Sequence, residues 1–348
     1  KLTSLCYKKL SMSKKNSSAN LKDGFKDSKE LSKIFLNFKN KLNLISEKKF
    51  VVAVSGGPDS LALVALTKAY TYFTKSKFLY VLINHNIRRN SLQEASKVKK
   101  LLKKKKIDLK IISNKKKIEK NIQGEARNVR YDLLTNFCLK NNIKTLITAH
   151  NLEDQVETFL IRLSRGSGLK GLSSMSLKRK INNKIDLYRP LLDTKKEFLI
   201  KITKNIFGNF VKDPSNRNIK YLRTKVRNLK KPIEKSGIEY EQIFKSIHNL
   251  SESKQSLDSF LKKEFNEIIK KNKKEILIDL KKFKSHNNDI KIAIINESIK
   301  RLKRNYYDPR AKKVNNLISA INKKGFKQTT LSGCIFSQKG DNLCLKEE

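Results

Sequence analysis

The spacing of apolar residues predicts alternating strands and helices over the first two thirds of the chain. Short runs rich in β-branched residues predict strands at Phe50–Val54, Phe78–Asn84, Leu109–Ser113 and Thr145–Ala149. Helical spacing predicts helices at Glu30–Leu44, Ser60–Tyr72, Leu92–Lys105 and Gly124–Asn141. Because these strands recur roughly every 30 residues with helices between them, the pattern predicts an α/β fold with a parallel sheet covered on both faces.

The regular alternation ends after Leu163. A glycine-rich loop at Arg165–Gly171 precedes a short predicted strand at Leu187–Leu192 and a helix from Lys195. A turn at Asp213–Asn216 then leads into a basic helix. This stretch therefore extends the same fold with shorter and less regular elements.

The last third of the chain has a different pattern, which begins at the proline-containing boundary Lys230–Pro232. The sequence from there to about Tyr307 is lysine-rich and predicted to be mostly helical. A final helix at Ala311–Lys323 leads to a small glycine-punctuated hairpin at Thr329–Leu345. We therefore expect a mostly helical C-terminal region that ends in a small α+β piece.

The segment Ser55-Gly56-Gly57-Pro58-Asp59-Ser60 joins the first predicted strand to a helix and has the character of a phosphate cradle. Glycines let backbone N–H groups approach an anion, and the start of a helix adds partial positive charge. Ser55 and Ser60 can add hydroxyl donors, and Asp59 is placed to bind a Mg²⁺ ion on the phosphates. No lysine follows the glycines and G-x-G-x-x-G is absent, so neither the P-loop nor the dinucleotide fingerprint fits.

A second candidate segment, Ala149–Thr158, follows the fourth predicted strand and contains three acids. Helical spacing places His150, Asp154 and Glu157 on one face, where such acids need a cationic partner. The carboxyl ends of parallel strands meet at one edge of a sheet, so we expect this segment to lie beside the phosphate cradle. The alternative is an ordinary acidic first turn, which the helix dipole favours.

The net charge of +47, from 79 Lys and Arg against 32 Asp and Glu, indicates a polyanionic partner such as nucleic acid. Compositional drift toward Lys, Asn and Ile is the alternative cause. Eleven of the 14 arginines nevertheless lie between Arg88 and Arg227, around the candidate motifs. Since the arginine fork binds phosphate and carboxylate in a bidentate manner, this distribution indicates use of those groups.

The remaining composition indicates an intracellular, water-soluble chain. No apolar run has membrane-spanning length, and the four cysteines have neither metal nor disulfide spacing, so we expect a cytoplasmic protein. The polar first 30 residues are predicted to be a disordered tail. One interpretation of this tail is that translation begins at Met12. The other is that it is a basic transit peptide, but such peptides contain few acids, and Asp23 and Asp27 argue against it.

Several motifs together give residues 50–230 a resemblance to the N-terminal domain of the tRNA(Ile)-lysidine synthases, a family within the ATP pyrophosphatase (PP-loop) superfamily. In order, the motifs are SGGPDS, NHNIR, the Ala126–Tyr131 run, AHNLEDQVET, RGSGLKGL, RPLL and DPSN. The chain departs from the family at Glu153, where Asp is usual, and at Thr224, where Asn is usual. After the disordered basic tail that composition predicts at 1–30, the resemblance implies a PP-loop ATP-binding catalytic domain at 31–232 and a basic helical tRNA-binding region at 233–348.

The resemblance also implies the reaction, in which ATP adenylates C2 of the wobble cytidine of a CAU anticodon and free lysine then displaces AMP. ATP, Mg²⁺, lysine and tRNA(Ile) are the implied cofactors and partners, with no protein partner implied and a homodimer left open. Asp154 and Glu157 would bind the lysine, with Asp154 as its base, and Asp59 would hold Mg²⁺.

The implied nucleotide and tRNA contacts involve histidines and arginines. Besides these acids, His150 and Arg223 are the other candidates for a catalytic role. ATP-binding candidates are Ser55, Gly56, Gly57, Pro58, Asp59, Ser60, His85, Arg127, Arg130 and Arg223. Candidates for tRNA contacts are Arg88, Arg165, Arg189 and Arg227.

Three other functions use parts of the same sequence. A tRNA thiolation enzyme would share the loop, but that chemistry normally needs cysteines near the site, and Cys138 is the only one between residues 7 and 333. An amide-forming synthetase of the same superfamily would not account for the basic charge. A catalytically silent RNA-binding protein is the third, against which the intact Asp59, Asp154 and Glu157 argue.

Overall fold

The fold is known from a computed structural model, which describes residues 25, 28–88, 90–115, 118, 122–181, 184–211, 221–272, 275–303, 309–323 and 325–348. The predicted tail of residues 1–30 lies almost wholly outside these residues, as does the predicted turn at Asp213–Asn216. The chain divides into two compact units, Lys1–Ser251 and Glu252–Glu348. The domain boundaries expected after residues 30 and 232 stay predictions.

The first unit is built on a sheet whose described strands follow the order β3-β2-β1-β4-β6-β5. These strands are β1 (Lys49–Val54), β2 (Lys77–Asn84), β3 (Leu109–Ser113), β4 (Thr145–Ile147), β5 (Lys178–Ile181) and β6 (Ile185–Tyr188). Only the β5–β6 pair is antiparallel among these neighbours. The predicted parallel α/β fold is confirmed, with the addition of an antiparallel edge strand that the sequence pattern did not predict.

Helices cover both faces of this sheet. The described helices of this part of the chain are α1 (Lys29–Asn43), α2 (Pro58–Tyr70), α3 (Ser91–Lys103), α4 (Ile122–Lys140), α5 (Leu152–Leu163), α6 (Leu169–Leu172), α7 (Lys196–Phe207), α8 (Leu222–Asn228), α9 (Lys230–Lys235) and α10 (Tyr240–Ile268), of which α10 continues past Ser251 into the second unit. Helix α2 is buried on nearly every side, because every residue from Ser60 to Thr67 is buried. A helix that is apolar all round belongs in a core, so α2 fixes the loop before it rigidly.

The strand order reverses at β1, which pairs with β2 on one side and with β4 on the other. In open parallel sheets, ligands bind beyond the carboxyl ends of the strands at such a reversal. The chain leaves β1 at Ser55, leaves β2 at His85 and reaches His150 soon after β4. The fold therefore brings the candidate segments to one edge of the sheet.

The second unit contains an antiparallel sheet whose described strands follow the order β7-β8-β11-β10-β9. The strands are β7 (Ile269–Lys271), β8 (Glu275–Asp279), β9 (Gln328–Thr330), β10 (Cys334–Lys339) and β11 (Asn342–Glu347), and the helices are α11 (Leu280–Ser285), α12 (Asn288–Leu302) and α13 (Ala311–Ile321). The C-terminal hairpin is as expected, and the stretch predicted to be mostly helical also contains the strands β7 and β8. Among the described residues, no helix has both the length and the apolar character needed to span a bilayer.

Candidate active site

The Ser55–Ser60 loop is organised by the hydroxyl of Ser60. Its Oγ accepts the backbone N–H groups of Ser55 and Gly56 and the hydroxyl of Ser55, each at 3.1 Å. The same oxygen donates to the carbonyl of Gly57 at 3.0 Å. The hydrogen-bond donors of the loop therefore converge on one oxygen of the loop itself, and this holds the backbone N–H groups of Ser55 and Gly56 close together.

Gly56 is the position where the loop requires glycine. Its φ of +83° lies in the left-handed region, and a Cβ built on it would lie 2.5 Å from Val98 Cγ2 of α3. The loop is also tied to the C-terminal side of the domain, because Val211 N donates to Gly56 O at 3.1 Å. A second tie joins Thr203 Oγ1 of α7 to the carbonyl of Pro58 at 2.7 Å.

We expect Gly56→Ala to lower the free energy of unfolding by about 2–4 kcal/mol, since it combines backbone strain with a steric clash against Val98. Urea denaturation measures the loss. The matched control is Gly208→Ala, because Gly208 has a φ of +74° but no atom within 4 Å of the position that a Cβ would occupy. If the two variants lose equal stability, the contact with Val98 contributes nothing.

Asp59 lies on the first turn of α2 with one carboxylate oxygen unpaired. Its Oδ1 is buried and has no hydrogen-bond partner among the described residues, while Oδ2 lies 3.7 Å from Lys196 Nζ. Burial raises the pKa of Asp59 to about 6, with Asp154 and Glu153 adding to the rise and Lys196 opposing it. An unpaired, buried carboxylate oxygen among other acids suits a divalent cation.

The donor set also suits the ion expected here. Mg²⁺ commonly binds through one or two carboxylates together with substrate phosphates, and not through a complete protein cage. Within the described part of the chain, no group of three His, Cys, Asp or Glu side chains could hold a metal ion. Asp59 beside a phosphate cradle therefore fits Mg²⁺ that arrives with a nucleotide.

Asp154 and Glu157, on α5, are both bound by arginines of α8. Arg223 bridges them, with Nη2 2.7 Å from Asp154 Oδ1 and Nε 2.8 Å from Glu157 Oε2. Arg227 binds the same glutamate through Nε, 2.7 Å from Oε1. Glu157 is only 2% exposed, and these two guanidinium groups are the hydrogen-bond donors that its buried oxygens need. The cationic partners predicted for the acids are, in this structure, two arginines of the same chain.

Glu153 has a structural role. Its Oε2 accepts the backbone N–H of Lys196 at the start of α7, at 2.9 Å, and its Oε1 lies 3.1 Å from Lys230 Nζ. The side chain is 9% exposed, and its two contacts connect α5 to the first residues of α7 and α9. The resemblance led us to expect Asp at this position, and the longer glutamate side chain reaches the first N–H of α7.

His85 and His150 are the two histidines of the site, and neither side chain is exposed. His150 precedes the Asn151 N-cap of α5, so it lies in the turn before the helix and not on the helical face that its spacing predicted. Its Nδ1 lies 2.9 Å from Thr148 Oγ1. Burial lowers the pKa of His150 well below its usual value, and nearby arginines add to this effect. Burial also lowers the pKa of His85, whose Nδ1 has no partner among the described residues.

Near His150 lies a group of three arginines, here called the arginine wall, which consists of Arg127, Arg130 and Arg189. Arg127 and Arg130 of α4 lie 5.3 and 5.6 Å from the ring centroid of Tyr131. Arg189 is 3% exposed, donates through Nη1 to Ser176 O at 2.8 Å, and has an Nε without a partner among the described residues. Burial favours a role for Arg189 inside the site over its predicted contact with tRNA. This wall can bind an anion that enters beside His150.

The other predicted tRNA contacts lie farther out. Arg88 is exposed and lies 3.4 Å from Glu94, and Arg165 is exposed in the turn after α5. Neither Tyr131 nor Lys196 was predicted to belong to the site. Lys196 resembles the chain's many other lysines in sequence, so only its position beside Asp59 distinguishes it.

A groove of about 660 Å³ opens next to the acid pair, between α5, α7 and the first turn of α10. Its lining carries four basic residues and six glutamates, which are Glu153, Glu157, Glu197, Glu234, Glu239 and Glu241. Acids therefore outnumber bases in this lining, although the whole chain has a net charge of +47. Tyr240 also lines it and is 4% exposed, with a hydroxyl that has no partner among the described residues. The groove therefore suits a small cationic ligand that carries a further polar group.

Comparison with solved structures supports the fold. The U34-tRNA thiolase NcsA from Methanococcus maripaludis, solved with its [4Fe-4S] cluster, superposes with a TM-score of 0.55. The superposition covers 64% of this chain and 78% of that protein at 17% sequence identity. At this identity the likeness extends to the architecture alone.

Comparison with known sequences identifies the family. The PP-loop domain family matches residues 27–232. The tRNA(Ile)-lysidine synthase of Wolbachia pipientis wMel is 33% identical over 92% of this chain and 75% of its own length. The corresponding protein of Orientia tsutsugamushi (strain Boryong) is 42% identical over 53% of this chain and 41% of its own length. With its phosphate loop, its acid pair and this similarity along most of its length, the chain belongs to the tRNA(Ile)-lysidine synthase family of PP-loop proteins.

Proposed function

We propose that this chain joins the ε-amine of free lysine to C2 of the wobble cytidine in the CAU anticodon of tRNA(Ile). The reaction passes through an adenylated cytidine and yields lysidine, AMP and pyrophosphate. The observation that carries the proposal is the position of the acid pair, Asp154 and Glu157, at the same sheet edge as the Ser55–Ser60 loop. An amine and a nucleotide can then be bound side by side.

The first half of the reaction would use the loop and the arginine wall. The amides that now converge on Ser60 Oγ would hold the pyrophosphate portion of ATP. Arg127 and Arg130 would balance the charge that develops at the α-phosphate during attack by the cytidine oxygen. Asp59 would hold Mg²⁺, and when bound this ion offsets the negative charge of the phosphates.

The second half would use Asp154 and Glu157 to bind the lysine ammonium. Arg223 bridges both carboxylates in the present structure, so the pair already accepts a cation in this orientation. Lysine would displace the guanidinium of Arg223, which would then be available to the adenylate phosphate. An ammonium is not nucleophilic until it loses a proton, and Asp154 would accept that proton.

The glutamate-lined groove would admit the lysine to this pair. Glu157 is one of its lining residues, and its six glutamates outnumber its four basic residues, so the groove would attract a cationic amino acid. The hydroxyl of Tyr240 is the polar group there that still lacks a partner among the described residues. Burial raises the pKa of this phenol to about 12, so it would remain a neutral hydrogen-bond donor.

The tRNA would bind along the basic surface, with the anticodon base turned into the crevice. Arg88 and Arg165 are exposed enough to reach phosphates, whereas Arg227 is engaged with Glu157. All substrates of this reaction occur together in the cytoplasm, which is where we place the protein. Thiolation has less support, because Cys138 is buried in α4 and burial raises the pKa of its thiol to about 12.

Incubation of the chain with ATP, labelled lysine and CAU-anticodon tRNA(Ile), followed by nucleoside analysis, tests the proposal. We expect labelled lysidine to form together with AMP and pyrophosphate. Transcripts with a CAC anticodon in the same tRNA body are the substrate control. Tight tRNA binding without pyrophosphate release would instead indicate a silent RNA-binding protein, and labelled sulfur in the tRNA would indicate thiolation.

A further inference from the structure

Lys196 is the first residue of α7, and its side chain extends towards the phosphate loop. Its Nζ lies 3.7 Å from Asp59 Oδ2, and the side chain is 34% exposed. Within the described part of the chain, Asp59 makes no other ion pair. Lys196 is therefore the cation that lies nearest to the metal-binding candidate of the loop.

The backbone of Lys196 is held in place from two directions. Its N–H donates to Glu153 Oε2, and Glu153 is in turn held by Lys230. Two turns further along the same helix, Thr203 Oγ1 donates to Pro58 O, which fixes α7 against the start of α2. Because both contacts involve buried side chains, the position of Lys196 relative to the loop is built into the fold.

The contact between Lys196 and Asp59 leaves both groups incompletely satisfied. A separation of 3.7 Å is longer than a charge-assisted hydrogen bond, which measures about 2.7–2.9 Å. Among the described residues, Asp59 Oδ1 has no partner, and the ammonium of Lys196 makes no hydrogen bond to another side chain. A ligand that carries both negative charge and a metal ion would satisfy the two groups together.

We propose that Lys196 is a catalytic residue that binds the β- and γ-phosphate oxygens of ATP and stabilises pyrophosphate as it leaves. The inference rests on the proposed function, and it adds a residue to the reaction. The cytidine oxygen forms a bond to the α-phosphorus while the bond from that phosphorus to the bridging oxygen of the β-phosphate breaks. The electron pair leaves with pyrophosphate, whose growing negative charge the Lys196 ammonium stabilises without transferring its proton.

The test compares Lys196→Ala with Lys196→Arg and with Lys201→Ala, which removes a charge from an exposed position of the same helix. Pyrophosphate release is followed at varied ATP concentration with saturating tRNA and lysine. We expect Lys196→Ala to lower kcat/KM for ATP by about 10- to 100-fold, since one charged contact to the leaving group is lost. Lys196→Arg should recover most of the activity, and Lys201→Ala should match the parent.

A binding measurement separates a phosphate contact from a purely structural role. Inorganic pyrophosphate with Mg²⁺ is titrated into each purified chain, and we expect Lys196→Ala to bind it about tenfold more weakly, as for one lost ion pair. Unchanged pyrophosphate affinity, or an unchanged kcat/KM in Lys196→Ala, would overturn the assignment. A parent chain that forms no lysidine would overturn the proposed function instead, and pyrophosphate binding would then decide the role of Lys196 independently.

Discussion

Replacement of Asp154 by asparagine is expected to stop lysine transfer while leaving most of the tRNA affinity intact. Asparagine has nearly the same shape, and its side-chain oxygen can still accept the N–H of Asn151 that caps α5. It lacks the charge that would bind the ammonium and cannot accept the lysine proton. We expect lysidine formation to fall by about 10²- to 10⁴-fold, the usual range for loss of a general base.

Pyrophosphate release in a single turnover distinguishes the two halves of the reaction in this variant. Because Asp154 acts only in the second half of the reaction, where lysine is bound and deprotonated, the Asp154→Asn variant should still adenylate the cytidine and release pyrophosphate once. The matched control is Asp108→Asn, an exposed carboxylate just before the edge strand β3. Full lysidine formation by Asp154→Asn would remove Asp154 from the mechanism.

The strands of the first unit could be predicted because the local pattern of apolar residues determines them. The strand predicted at Phe50–Val54 is observed at Lys49–Val54, and the strand predicted at Phe78–Asn84 is observed at Lys77–Asn84. Both strands are continuous apolar runs that are largely buried on both faces, a pattern that parallel sheets require. The expectation of a mostly helical C-terminal region is confirmed, but it did not single out β7, because the two lysines of this strand continue the lysine-rich pattern of α10.

The pairings inside the site could not be predicted, since they join residues far apart in the chain. Arg223 reaches Asp154 and Glu157 from a helix about 70 positions later, and no local periodicity encodes that approach. The helix face proposed for His150 also failed, because Asn151 provides a better N-cap and the helix begins after it. Sequence thus identified the acids, whereas only the fold identified their partners.

The site separates its charges in a way that suits two substrates. Glu153 and Glu157 of α5 line the glutamate-lined groove, while Arg127, Arg130 and Arg189 are close enough to His150 to lower its pKa. A cation and an anionic adenylate would therefore be drawn to neighbouring places without competing for the same groups. Arg223 contacts the acids and also influences His150, so it is the residue able to serve both sides.

Replacement of Asp59 by asparagine is expected to remove pyrophosphate formation while making the ligand-free protein more stable. The buried Oδ1 has no partner among the described residues, and burial holds the pKa of Asp59 at about 6. Burying the charged form of Asp59 therefore lowers the free energy of unfolding. Asparagine carries no charge and avoids this cost. Since the metal ligand is also lost, we expect pyrophosphate release to fall by about 10³-fold or more.

The stability difference should depend on pH with a definite sign. The carboxyl ionises near pH 3.8 in the unfolded chain and near pH 6 in the folded one, so the charge destabilises the fold fully above pH 6. In buffer with a metal chelator, Asp59→Asn should exceed the parent by about 1–3 kcal/mol at pH 8, and the gain should shrink towards zero as the pH falls to about 4. Asp258→Asn, exposed on α10, should show no such gain. A loss of stability in Asp59→Asn at pH 8 would mean that the carboxylate supports the fold, and a metal-binding role would then no longer account for its unpaired oxygen.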